Sequence, residues 1–322
     1  MRATATALVA SEFGAFRDHL RGWDVQPIQI EPGPLKITWD GIDLGDLMVG
    51  QLRTDRRIID TTIVKKGHTL FGISLAPISF CGLEIERAAV MRMTPGRGYR
   101  RVSRAGWNSF EIAIADAAWQ KRGVTLSGAT SDRFDPERSV FKLASTELLK
   151  FRAIVDGFYL TMEERSPGEA WRKAATERVQ VFLNESMALA RSAGRDSCRT
   201  SHVKGYDLTV RALTLIESRK SARMTVSEIA GTLDVTVRAL AYAFRSMLGL
   251  GVYQFLLAYR LNRVRSLLAA PGPGQTVSAA AVTQHFAHLG RFAGAYNDLF
   301  GELPSHTLNR GRGVSKENIR PK

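Results

Sequence analysis

Between Leu35 and about Trp119 the apolar positions fall in short or alternating runs: Ile37-Thr38-Trp39, Leu47-Met48-Val49, Ile58 to Val64, Leu70 to Leu75 and Phe110 to Ala115. Gly, Asp and Pro separate them, so the pattern predicts short strands and, at this spacing, an antiparallel sandwich or barrel. Ahead of them, residues 11–24 predict a short amphipathic helix, and Glu31-Pro32-Gly33-Pro34 breaks the chain. After Thr146 the period changes. Leu148, Leu149, Phe151, Ile154 and Val155 recur at helical spacing, as do Val179, Phe182, Leu183 and Met187 before about Ala193. These are candidate dimerisation helices. The polar stretch Ser192 to Lys204 reads as a linker, after which Val210, Leu213 and Ile216 open a second helical region.

That region contains an internal repeat. Thr225-Val226-Ser227-Glu228 is a capping box, in which the Thr hydroxyl and the Glu carboxylate satisfy backbone N–H groups at a helix start. Ile229, Ala230 and Leu233 form the buried stripe, and Asp234 sits where a left-handed residue is needed. Val235 then fills the angle between helices, and Thr236 caps a second helix packing through Leu240 and Phe244. Val226, Ile229, Ala230, Val235, Leu240, Phe244 and Gly249 recur as Val277, Ala280, Ala281, Phe286, Phe292, Tyr296 and Gly301, with one extra residue in the second turn. Two helix-turn-helix units follow, at about 225–245 and 276–297. Between them Tyr253, Leu256, Leu257, Leu261, Val264, Leu267 and Leu268 predict one connecting helix, ended by Pro271-Gly272-Pro273-Gly274.

Strand-rich and helix-rich regions in succession predict an α+β chain of two domains. The first, residues 1–195, is β-rich over about 35–120 and helical over about 146–193. A linker at 196–204 leads to an all-α tandem helix-turn-helix domain at 205–310 and a basic tail at 311–322. With 322 residues and 44% hydrophobic content, both domains have material for a core. No apolar run reaches membrane-spanning length, so no membrane partner is expected. Met1 to Ala10 is soon followed by Glu12, Arg17 and Asp18 and lacks a signal-peptide core, which points to the cytoplasm.

Cys81 and Cys198 are too few for a disulfide scaffold or a thiolate metal site and read as reduced, inert thiols. Residues 1–195 hold only His19 and His68, so a metal enzyme is not expected. With no nucleophile–base pair apparent either, no catalytic residue, metal or cofactor is assigned. Charge adds a positive indication. Residues 196–322 carry 17 Lys/Arg against 8 Asp/Glu, whereas residues 1–195 carry 28 against 23. A small region holding most of the +14 excess suits phosphate contact by counterion release.

Arg260-Leu261 with Val264 and Leu268, the aromatic pair Phe292 and Tyr296, and Phe300-Gly301 followed by Pro304 make the last third of the chain resemble the AraC/XylS type of bacterial transcription regulator. The string His288-Leu289-Gly290-Arg291-Phe292-Ala293, with Tyr296 and Phe300 to Leu308, looks most like the branch that includes the ethanolamine-utilisation regulator. The resemblance implies double-stranded DNA as partner, a cupin-like barrel in the first domain that senses a small-molecule effector, and activation by contact with RNA polymerase, while the helices at about 146–193 suit a homodimer. By position it also implies base contacts from Arg238 and Tyr242, with Arg245 nearer the backbone.

The residues themselves agree with that assignment. With Leu240 and Phe244 inward, Val237, Arg238, Ala241, Tyr242 and Arg245 lie on the other side of the first reading helix, behind Thr236. Arg is the natural guanine reader because its fork matches two major-groove acceptors. In the second unit His285 replaces the usual turn glycine, and Gly290, Ala293 and Gly294 stand where polar readers are often found. That leaves His288 and Arg291, with Leu289 for a thymine methyl. Arg263 is a candidate phosphate contact on the connecting helix, beside Arg265 and Arg260, the last equally readable as a structural pair.

Other features have bland readings. Arg97, Arg100, Arg101 and Arg104 read as a solvated hairpin before an anion pocket. Trp39, Phe71, Phe80 and Trp107 read as core before a ligand cavity. The expected function is a sequence-specific, effector-responsive activator. The rivals are a regulator whose first domain binds another protein with no small ligand, and an enzyme fused to a DNA-binding module.

Overall fold

The computed structural model describes residues 3–11, 14, 16, 19–86, 88–120, 139–164, 167–192, 205–218 and 224–317. The expected linker at 196–204 and the end of the basic tail lie outside them. Contacts divide the chain into two units, residues 1–27 with 36–202 and residues 28–35 with 203–322.

The first unit's described strands, with β2 running two residues into the second unit, are β1 (Thr4–Ala10), β2 (Trp23–Gln29), β3 (Ile37–Asp43), β4 (Leu47–Thr54), β5 (Ile58–Val64), β6 (His68–Ser74), β7 (Ile78–Phe80), β8 (Leu83–Ile85), β9 (Ala89–Met93), β10 (Gly98–Ser103) and β11 (Trp107–Ala115). A short α1 (Asp116–Gln120), then β12 (Val140–Lys142), α2 (Ser145–Glu164) and α3 (Glu169–Ser192) complete it. Seven strands form one sheet in the order β1-β3-β4-β11-β6-β9-β12, and five form another in the order β2-β5-β10-β7-β8. The N-terminal unit is therefore a two-sheet β structure with helices following it, as the pattern predicts.

Alternation along β11 assigns its two faces. Phe110, Ile112 and Ile114 join Val49, Phe71 and Val90 in a core with Phe151, Val155, Val179, Phe182 and Leu183 of α2 and α3. Phe110 meets Phe151 edge-on at 5.1 Å between centroids. The opposite face carries Ser109 and Glu111, and Glu111 reaches β10 of the other sheet. Trp39 lies over two glycines: a Cβ on Gly41 or Gly50 would come within 2.3 or 2.4 Å of its ring, so both positions need the bare backbone.

Three expectations change. The opening residues, assigned no element, form β1 against β3, from Thr4 opposite Asp43 to Ala10 opposite Ile37. Trp23 and Asp24, expected in a helix, begin β2. The third change concerns the arginine run. Arg100 is buried and Arg101 is only 1% exposed, so the solvated hairpin is wrong for both. Nε and Nη2 of Arg101 donate to Asp60 Oδ2 at 2.9 and 2.6 Å, Nη1 donates to Glu111 Oε1 at 2.6 Å, and Trp107 lies 4.8 Å from the guanidinium. Burial pushes the Glu111 carboxyl up, opposed by the charge of Arg101. Removing one member of such a buried group costs about 3–5 kcal/mol, because it strands the others uncompensated. Trp39, Phe71, Phe80 and Trp107 are all buried.

The second unit contains α4 (Tyr206–Ser218), α5 (Val226–Thr232), α6 (Val237–Leu248), α7 (Val252–Ala269), α8 (Val277–Thr283), α9 (Leu289–Phe300) and α10 (Pro304–Glu317). α10 runs past residue 311, so what was expected as a tail begins as helix. Among the described residues no single helix is long and apolar enough to cross a membrane.

Candidate nucleic-acid interface

The two helix-turn-helix units share their local geometry. Thr225 caps α5 with a complete capping box, and Thr276 caps α8 by accepting from the Ala279 N–H at 3.1 Å. At the turns Asp234 and His285 take left-handed φ of 54° and 64°, and the next residues donate backward, Val235 N to Ala230 O at 3.0 Å and Phe286 N to Ala281 O at 3.1 Å. The second helix of each unit ends on a left-handed glycine, Gly249 for α6 and Gly301 for α9. The extra residue of the second copy lies in its turn: α6 starts two residues after Val235, and α9 three after Phe286.

α6 presents the side that the pattern predicts. Leu240, Ala243, Phe244, Met247 and Leu248 are buried, whereas Val237, Arg238, Tyr242 and Arg245 are exposed and Ala241 is half-buried. Arg238, Tyr242 and Arg245 fall on successive turns of one face. The Thr236 hydroxyl accepts from the Ala239 N–H at 3.1 Å, so it serves as helix cap. A cleft of about 330 Å³ opens beside this face, lined by Ala241, Arg245, Val226 and residues 251–254.

On α9, Phe292, Tyr296, Leu299 and Phe300 are inward, and His288, Leu289 and Arg291 are exposed. His288 is the N-cap residue, without a side-chain capping bond. Gly290 and Gly294 leave the same surface bare, with open space where a Cβ would stand. The exposed face of α9 has less side-chain chemistry than that of α6.

The connecting helix differs from expectation. Tyr253, placed in its apolar stripe, is 72% exposed at the mouth of the cleft. Arg263 donates from Nε to Gln284 Oε1 at 3.0 Å and lies 5.9 Å from the Tyr259 ring. Arg260 donates from Nη2 to Met224 O at 3.1 Å. Arg265 is buried, bonded to Glu302 at 3.0 Å and set 4.4 Å from the Phe300 ring, so it is a packing residue and no phosphate contact. Glu302 also accepts from Thr307 at 2.9 Å and from Arg310 at 2.8 Å, which joins α7 and α10 just beyond the end of α9. Sequence reasoning missed Glu302; its only signal was a carboxylate directly after the helix-ending glycine.

A helix-turn-helix domain family model matches residues 221–310. The probable thc operon regulatory protein of Rhodococcus erythropolis is 34% identical over 98 residues, and the chain spans 30% of that relative's length. A solved structure, a probable AraC family transcriptional regulator from Rhodopseudomonas palustris, is 30% identical with a TM-score of 0.31, covering 33% of this chain and 97% of that one. The XylDLEGF operon transcriptional activator 2 of Pseudomonas putida is 30% identical over 112 residues, 34% of this chain and 71% of that protein. The chain belongs to the AraC family of bacterial transcription regulators. The helix-turn-helix domain match lies within the second unit, and α6 and α9 fall inside it.

Burial pushes the Glu302 carboxyl up, but hydrogen bonds from Arg310 and Thr307 and the charges of Arg265 and Arg310 outweigh it, so its pKa is lowered. A lowered carboxyl contributes stability above its unfolded value of about 4.3 and loses it as pH falls through the folded value. Glu302→Gln is therefore expected to destabilise the second unit by about 1.5–3 kcal/mol near neutral pH. It should also flatten the acid limb of the melting profile, as followed by circular dichroism. An acid limb as steep as in the parent chain would contradict the role given to Glu302.

Proposed function

We propose that the chain is a sequence-specific, effector-responsive DNA-binding regulator, cytoplasmic and non-catalytic, whose two reading helices enter successive major grooves. The observation that carries this reading is the pair of matching helix-turn-helix units, each with an exposed reader face, joined by one helix. Arg238 and Tyr242 read base edges, and Val237 and Ala241 make apolar contacts beside them. Arg245, next to the cleft at the start of α7, holds one backbone phosphate, and Thr236, at the opposite end of α6, meets another. Arg263 completes the backbone contacts from α7. His288, Leu289 and Arg291 serve the second groove with weaker discrimination, because glycines occupy the neighbouring positions.

The Pseudomonas putida relative is named a transcriptional activator, which supports activation, through contact with RNA polymerase, as the direction of control. The string from His288 to Leu308 supports kinship with the ethanolamine-utilisation branch; no effector is transferred with it. Exposed Leu149 and Leu160, eleven residues and so about three turns apart on α2, support a homodimer through that helix.

Arg238→Ala is expected to cost roughly 1–3 kcal/mol on a duplex selected from a random library by the full chain, and to relax preference at one base pair. Arg245→Ala should weaken all sequences alike and reduce the dependence on salt. Relative affinities unchanged by Arg238→Ala across a base-substitution series would contradict the assignment.

For regulation, the β-rich unit binds the effector and α2 and α3 pass its state onward. The effector then changes operator affinity by the same factor as operator changes effector affinity. Titration of the full chain with metabolites that raise its melting temperature tests this. If none alters operator affinity, the protein-interaction reading of the first unit replaces it.

A further inference from the structure

Residues 28–35 are remote in sequence from the second reader yet pack as part of its unit. The Gln29 backbone N–H donates to Asn262 Oδ1 at 2.9 Å, and the Gln29 carbonyl accepts from Asn262 Nδ2, also at 2.9 Å. A side-chain amide on α7 thus pairs with this segment's backbone much as a neighbouring strand would. The Gln29 side chain is itself buried, at 3% exposure for the residue. Its Nε2 lies 2.8 Å from Glu31 O, 2.7 Å from Gly33 O and 2.9 Å from Leu299 O.

Leu299 is in the last turn of α9, where a helix leaves its final four carbonyls without intrahelical partners. Gly301 satisfies one of these by donating to Asn297 O. Leu299 O receives two donors from the remote segment, Gln29 Nε2 and the Gly33 N–H, the latter at 3.1 Å. Pro34 closes over the helix-ending glycine: a Cβ on Gly301 would come within 2.8 Å of Pro34 Cδ. Ile30 packs on the cluster that contains Leu261, Phe292, Tyr296 and Phe300. Gly33, with φ of 110°, supplies the bend between two prolines.

We propose that residues 28–35 act as a positioning strap for the second reader: they cap α9 from outside and pin it to α7, and so set how His288 and Arg291 meet the duplex. This rests on the reading of α9 as a DNA reader. It carries a consequence for the boundaries of the DNA-binding part, because the matched region 221–310 and any fragment beginning near residue 205 lack a piece of the second unit. Gln29 and Asn262 are positioning residues that act through α9 and touch no base.

The test uses the full chain on a duplex selected by it from a random library, with hydroxyl-radical footprinting of both half-sites. Gln29→Ala and Asn262→Ala are each expected to reduce protection and base discrimination at the half-site under α9 by tenfold or more. Protection under α6 should persist, and the double variant should fall at least as low as the weaker single one, since Gln29→Ala removes the cap on Leu299 O and Asn262→Ala removes the pairing of the strap's backbone with α7. Parallel weakening of both half-sites, or no change at either, overturns the strap. A parent chain that protects only one half-site overturns the two-reader reading instead, and the strap's role with it. Should Gln29→Ala fail to fold, Asn262→Ser removes the backbone pairing, leaves the buried glutamine cap in place, and gives the same comparison.

Discussion

Everything in the second unit depends on α7 being buried twice. Its first half packs on α6, with Phe255 edge-on to Phe244 at 5.5 Å. Its second half, through Leu261, Val264 and Leu268, sits in the cluster built by α8, α9 and α10. A helix of 18 residues spans about 27 Å, somewhat less than the roughly 34 Å rise of one turn of straight duplex. Because each half belongs to a different core, neither reader can shift without breaking packing at one end of α7. The fixed spacing of α6 and α9 is thus a property of the hydrophobic core, which leaves their outer faces free to be polar.

The same constraint explains why the two readers differ in how they are secured. α6 follows a complete capping box on α5, begins with its own threonine cap and ends at Gly249. α9 starts at His288 without a side-chain cap, and its C-terminal turn draws on donors from residues 29 and 33. Glu302 adds the ionic counterpart, tying Arg265 of α7 to Arg310 of α10. A reader with fewer local signals in its own sequence is held by long-range partners.

This division tracks what was legible in the sequence. The repeat, the turn residues Asp234 and His285, the caps and the exposed face of α6 were readable because each is set by neighbours within a few residues. Strands β3 to β6 and β11 were readable for the same reason, being runs of apolar or alternating residues. The misses are non-local. Arg101 is disposed in a polar run that looks solvated, and only the pairing of β10 with β5 and its approach to Glu111 put it in the interior. β1 carries little apolar contrast and forms because β3 offers an edge. Tyr253 follows the apolar period of α7 but falls on the side that faces the cleft. Gln29 and Asn262 carry no motif at all; their roles appear only when residues 233 positions apart are brought together.

The central claim is that α7 holds two readers at one separation on one face of the duplex. It is tested most directly by the spacing of the two half-sites in a site selected by the full chain. Inserting about half a helical turn, roughly 5 bp, rotates the second groove away from α9. Affinity should then fall to that of a duplex carrying only the α6 half-site, and a full-turn insertion of roughly 10 bp should not restore it, because α7 cannot lengthen. Affinity that survives either insertion would mean the readers move independently, and the rigid tandem arrangement would be wrong.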